Sequence, residues 1–141
     1  MATTERWQSR PAAHDYAAAA DYLGLLLDDA ATRAAVRGLR AAAPTTAKAK
    51  DLLRASRLPL LPVDDPELTR DRKKVKKGEL LSPVLLVRGD LAAGVALTVA
   101  DGYHRICASY HLDEDADIPC RITAIPAKRG HPGSRPRRSP A

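Results

Sequence analysis

The stretch from Val95 to Leu112 constrains this chain most. A β-rich run, Val95 to Val99, passes through Ala100-Asp101-Gly102-Tyr103-His104-Arg105 into a helical run, Ile106 to Leu112. Asp-Gly between an apolar strand and a helix fixes the order of elements. It also has a chemical reading. Asp101 is a good N-cap, Gly102 lets backbone approach a ligand, and the first amides of a helix have no intrahelical partner. They attract anions, to which Arg105 adds a charged fork and His104 a donor or a proton. By itself the motif is weak, since Asp-Gly before a helix is also ordinary turn-and-cap chemistry with no ligand.

The remainder of the second half alternates element types. Arg57 to Pro62 reads as a short strand, Pro66 to Lys77 as a helix closed by Gly78, and Val84 to Val87 as a strand. Leu97 to Val99 reads as the strand before the Asp-Gly turn, and Ile118 to Thr123 as the last. The first half is helical in pattern. Tyr16, Ala19, Ala20, Leu23 and Leu27 recur at helical spacing, as do Ala31, Ala34, Ala35 and Leu39. Pro44 ends that pattern, after which Thr45 or Thr46 caps a third helix through Lys48, Leu52 and Leu53. The expected fold is α+β: a small mixed sheet with helices at 57–125, an N-terminal helical extension at 1–56 and a disordered basic tail at 126–141.

Composition narrows the function classes. A chain of 141 residues that is 45% hydrophobic suits one domain, and with no Phe, one Trp and four Tyr its core is aliphatic. No apolar run reaches the roughly 20 residues of a membrane span, and the polar start lacks a signal-peptide arrangement, so a cytoplasmic location is expected. Cys107 and Cys120 make neither a disulfide framework nor a zinc pattern and read as small core residues. No metal-ligating set is evident, since His104 and His111 are too far apart to chelate one ion. The net charge is +6, but residues 126–141 hold five basic residues and no acid, which leaves the body close to neutral. That tail is either a loose, salt-sensitive holder of nucleic acid or a solubilising end.

With these elements in order, Leu81-Ser-Pro-Val-Leu-Leu-Val, then Thr98-Val-Ala-Asp-Gly-Tyr-His-Arg-Ile-Cys-Ala-Ser-Tyr, then Ile118-Pro-Cys-Arg-Ile, the chain resembles the ParB N-terminal domain and sulfiredoxin over about Leu58 to Ile125. The resemblance implies a phosphate-binding loop at Gly102, Tyr103, His104 and Arg105. The sulfiredoxin loop has Cys where this chain has Tyr103, so sulfinic acid reduction is not expected, because a phenol does not replace the attacking thiolate. In partition proteins the matching loop contacts CTP, beside a helix-turn-helix domain for which this sequence offers no counterpart after the last strand. The nucleotide-dependent free serine kinases are similar around Asp101, Gly102, His104 and Arg105. They imply Glu67 as base on a hydroxyl acceptor and a grip on phosphates by Asp101, Gly102, His104 and Arg105, with Asp101 the other catalytic carboxylate, for acceptor or metal. Sulfiredoxin implies one lysine of the basic run, Lys73, Lys74 or Lys77, on the nucleotide.

The expectation is therefore a protein that binds a nucleotide (ATP, ADP or CTP, with Mg) or another phosphorylated small molecule. The site residues are Gly102, Tyr103, His104, Arg105 and Lys74, with phosphotransfer by Glu67 and Asp101 as the enzymatic form. The competing class is a non-catalytic accessory module that binds protein or nucleic acid. The sequence leaves the oligomeric state open.

Overall fold

The computed structural model describes residues 5–125, and the expected basic tail at 126–141 lies outside them. Among the described residues the order is α1 (Ala13–Leu23), α2 (Asp29–Ala41), β1 (Thr45–Lys48), α3 (Ala49–Ser56), α4 (Pro66–Lys76), β2 (Val84–Val87), β3 (Thr98–Asp101), α5 (Tyr103–Leu112) and β4 (Asp117–Thr123). This is an α+β fold around one mixed sheet of order β1-β4-β2-β3. Strands β4 and β2 run parallel, with Val84 opposite Cys120, and the two outer pairings are antiparallel.

The sheet is covered on both faces. Val84, Leu86, Val99, Ile118 and Cys120 pack against α3, α4 and α5 through Leu52, Leu53, Leu68 and Ile106. Leu85, Val87 and Ala100 on the opposite face meet Tyr16, Ala19, Leu23, Ala35 and Leu39 of α1 and α2. Four successive residues of β2 are accordingly buried, which explains why this strand reads as an unbroken apolar run and not as an alternation. At the full side chains' usual ~1.5–3 kcal/mol each, these two clusters dominate the stability of the fold. Helix α2 comes close to β4 at Gly38, where a Cβ would sit 2.1 Å from Thr123 Oγ1.

The front segment therefore does more than extend the α/β unit. Its α1 and α2 build an entire covering layer, and residues expected to cap and begin a third helix form edge strand β1 instead, with Thr45 opposite Cys120. The helix starts only at Ala49, once the sheet has taken the backbone of Thr45–Lys48. Arg57 to Pro62, expected as a strand, is an irregular loop. Arg57 takes a left-handed conformation (φ 59°), and Pro59 and Pro62 have no N–H to give a ladder. Helix α4 ends as expected at Gly78 (φ 78°), whose N–H donates to Val75 while that of Glu79 donates to Lys74.

Candidate functional site

Helix α5 begins where β3 ends, and Gly102 sets the angle between them. Its φ of 110° is open only to glycine, and a Cβ there would lie 2.4 Å from Val84 Cγ1 on β2. The helix is thus pressed against the central strand with Gly102 as its N-cap. No side chain caps it. The expected cap, Asp101, is the last residue of β3, and its carboxylate is held instead by Arg105, 2.5 Å from Nη2. An i, i+4 guanidinium competes successfully for that oxygen, so the first amides of α5 keep their donor capacity.

These residues line a cleft of about 350 Å³ whose walls also include Gln8, His14 and Asp15 from the front segment and Glu67, Asp71 and Lys74 from α4. The structure thus brings together Glu67, Lys74, Asp101, Gly102, Tyr103, His104 and Arg105, all singled out in the sequence, in one concavity. Within it, several carry different tasks from those expected.

Arg105 is not a free fork. Nη1 donates to the Ser82 carbonyl at 3.0 Å and lies 3.8 Å from Asp15 Oδ1, while Nη2 serves Asp101, and the side chain is only 14% exposed. Asp15 is likewise fixed, its other oxygen accepting from the Ala12 N–H at 2.9 Å at the start of α1. The cluster joins α1, β3, α5 and Ser82, two residues before β2. Burial pushes the Asp101 carboxyl above the usual aspartate range; the charge and hydrogen bond of Arg105 oppose this, and Asp15 adds to it.

Glu67 lies in the first turn of α4, where Asp65 caps the helix by accepting from the Glu67 and Leu68 N–H groups. Its carboxylate faces the cleft rim but is paired with Arg70 at 2.8 Å, with nearly half the side chain exposed. One turn on, at i+4 on the same face, is Asp71, which the sequence reading passed over. Burial raises its carboxyl above the ordinary value, Glu67 adds to the rise, and Lys74, Arg105 and His104 oppose it. Glu5, whose Oε2 accepts from buried Ser109 Oγ at 2.7 Å, is also raised by burial and by Asp71.

Tyr103 borders the cleft yet works as a brace. Its hydroxyl donates to the Pro59 carbonyl, and His111 Nε2 meets the Leu61 carbonyl at 2.7 Å, so one side of α5 fastens the 57–65 loop. Cys107 lies between them, fully buried, with its thiol pushed up by burial. Cys120 is buried in the same cluster, its thiol raised to about 11. Both thiols are core residues, as their surroundings in the sequence suggested. His104 stays exposed, its ring 5.5 Å from that of Tyr103.

Sequence reasoning missed Gln8 and Asp15 as well as Asp71. Only Asp71 left a signal, its i+4 spacing from Glu67; Gln8 and Asp15 arrive through the topology. Gln8 is brought in by residues 6–8, which pair with Leu81 (Gln8 N–H to Leu81 carbonyl, 2.7 Å). Among the described residues no three acid, His or Cys side chains converge to hold a metal ion, and no helix is long and apolar enough to cross a membrane. No protein-family model, curated protein or solved structure matches the chain.

Proposed function

We propose that this cleft binds a phosphorylated small molecule, a nucleotide such as ATP, ADP or CTP being the foremost class, with its phosphate at the start of α5. The observation that carries this reading is the N-terminus of α5, uncapped by any side chain, whose first residues line the cleft alongside Lys74. The resemblance of the sequence, in its order of elements, to ParB and sulfiredoxin proteins supports the same ligand class. The phosphate contacts are the amides after Gly102, His104 and Lys74. Arg105 is a positioning residue: it ties Asp101 and Asp15 together and so aims the helix.

Transfer of the phosphate to a small hydroxyl compound is the finer form of the reading. Asp71 supports it, as a half-buried carboxylate made more basic by burial at the cleft wall, better placed to accept a proton than Glu67, which Arg70 engages. Magnesium enters as the nucleotide's counter-ion. The engagement of Arg105 within the fold favours a second reading, a non-catalytic module whose loop is structural.

A thermal-shift series separates the two. ATP, ADP, CTP and pyrophosphate, each with magnesium, are added to wild type, to Lys74→Ala/His104→Ala and to Arg105→Ala. Binding at a hundred times Kd stabilises by about 2.7 kcal/mol. The phosphate reading predicts a rise in wild type that the double variant lacks at unchanged unliganded Tm. No rise with any ligand contradicts it and favours the module.

A further inference from the structure

Charge on this molecule is segregated. Residues 70–77 hold six cations and one acid, whereas the rest of the described chain holds twelve cations against sixteen acids. Helix α4 is anchored by Leu68 and Val75, which are buried and seven residues apart. Arg70, Lys73 and Lys77, at i, i+3 and i+7, therefore share a face turned away from that anchor and run about 10 Å along the helix axis. Arg70, Lys73, Lys74 and Lys77 are all exposed, and the ion pairing of this helix stops at Glu67–Arg70. Attraction between lysines and the helix C-terminus accounts for cations in the last turn. It does not account for a cationic surface that begins at Arg70 and borders the cleft, where Lys74 belongs to both.

Resting on the phosphate reading of the cleft, we propose that the ligand is a single-stranded polynucleotide, its terminal phosphate seated at the start of α5 and its backbone carried over Lys74 onto Arg70, Lys73 and Lys77. A strand end enters a concavity of this size more readily than a duplex does. Helix α4 carries no aromatic residue on which bases would stack, so recognition is by phosphate and without sequence preference.

The test uses the full chain and decathymidylate labelled at its 3′ end, with either a 5′-phosphate or a 5′-hydroxyl, read by fluorescence anisotropy between 50 and 200 mM salt. The 5′-phosphate strand binds roughly five- to tenfold tighter, the worth of one anion at a favourable helix N-terminus. Lys73→Glu/Lys77→Glu weakens both strands and flattens the slope of log K against log salt by about 1.4, since each single-strand phosphate contact contributes about 0.7. That variant keeps the thermal shift with mononucleotide. Equal affinity for the two strands, or an unchanged salt slope in the variant, overturns this proposal while leaving the phosphate seat standing. Loss of the mononucleotide and pyrophosphate shifts in wild type removes the seat itself, and with it both proposals.

Discussion

At Arg105, one side chain decides how β3, α5 and α1 meet. It is 14% exposed between Asp101 and Asp15, and its removal leaves Asp101 without its ion-pair partner and Asp15 with only the His14 imidazole, 3.4 Å from its Oδ1. Arg105→Ala should lower stability by about 3 kcal/mol near pH 7, the usual cost of stripping one partner from a buried pair. The loss should shrink at pH 5, where protonation of Asp101, already favoured by burial, relieves the uncompensated charge. Chemical denaturation at the two pH values checks this; an equal loss at both contradicts it. Gly102→Ala should cost about 2 kcal/mol or more, from the positive φ and from the overlap with Val84, read in the same denaturation experiment. Asp71 gives a pH signature of its own. Its folded pKa lies above the ordinary value of 3.8, so its contribution is fully present below that value and is lost as pH rises through the raised one. Asp71→Asn should therefore gain stability relative to wild type as pH climbs above about 4, followed by melting across pH 4 to 7. Of these residues the sequence exposed Gly102, His104 and Arg105 through the Asp-Gly turn alone. It misassigned Asp101 as a cap because local spacing does not reveal that a guanidinium one turn on competes for the carboxylate.

The elements of the second half were legible because each is marked by its own chemistry. Strand β2 is wholly apolar, α4 lies between Pro66 and Gly78, and α5 follows a glycine that no other residue replaces. Strand β1 was not legible. Thr45–Lys48 is four residues long, mostly exposed, and without alternation; only pairing with β4 makes it a strand. The loop 57–65 was misread for the opposite reason, since its apolar Leu58, Leu60 and Leu61 imitate a strand that Pro59 and Pro62 forbid. That loop depends on side chains of α5. Tyr103→Phe removes the donor to the Pro59 carbonyl, at a cost of about 1 kcal/mol, and should raise amide exchange at Leu58, Leu60 and Leu61 more than in β2. Uniform exchange across both would show that the brace does not act locally.

For the whole molecule, the α/β unit at 57–125 and the front segment share one sheet and two cores. A chain beginning at residue 57 would expose Leu85, Val87 and Ala100 and leave β4 without its edge partner. Such a truncation should fail to give a cooperative melt, and a folded, cooperative 57–125 fragment would contradict the two-faced core. The same packing carries Asp15 and Gln8 to the cleft, so the front helices belong to the site as well as to the fold. The proposed anion seat at the start of α5 is read in the amide ¹H–¹⁵N spectrum during titration with magnesium pyrophosphate. An anion seat there gives the largest saturable shifts at the amides of Tyr103, His104 and Arg105, absent in Lys74→Ala/His104→Ala. Shifts confined to residues outside the cleft, or none, would contradict it.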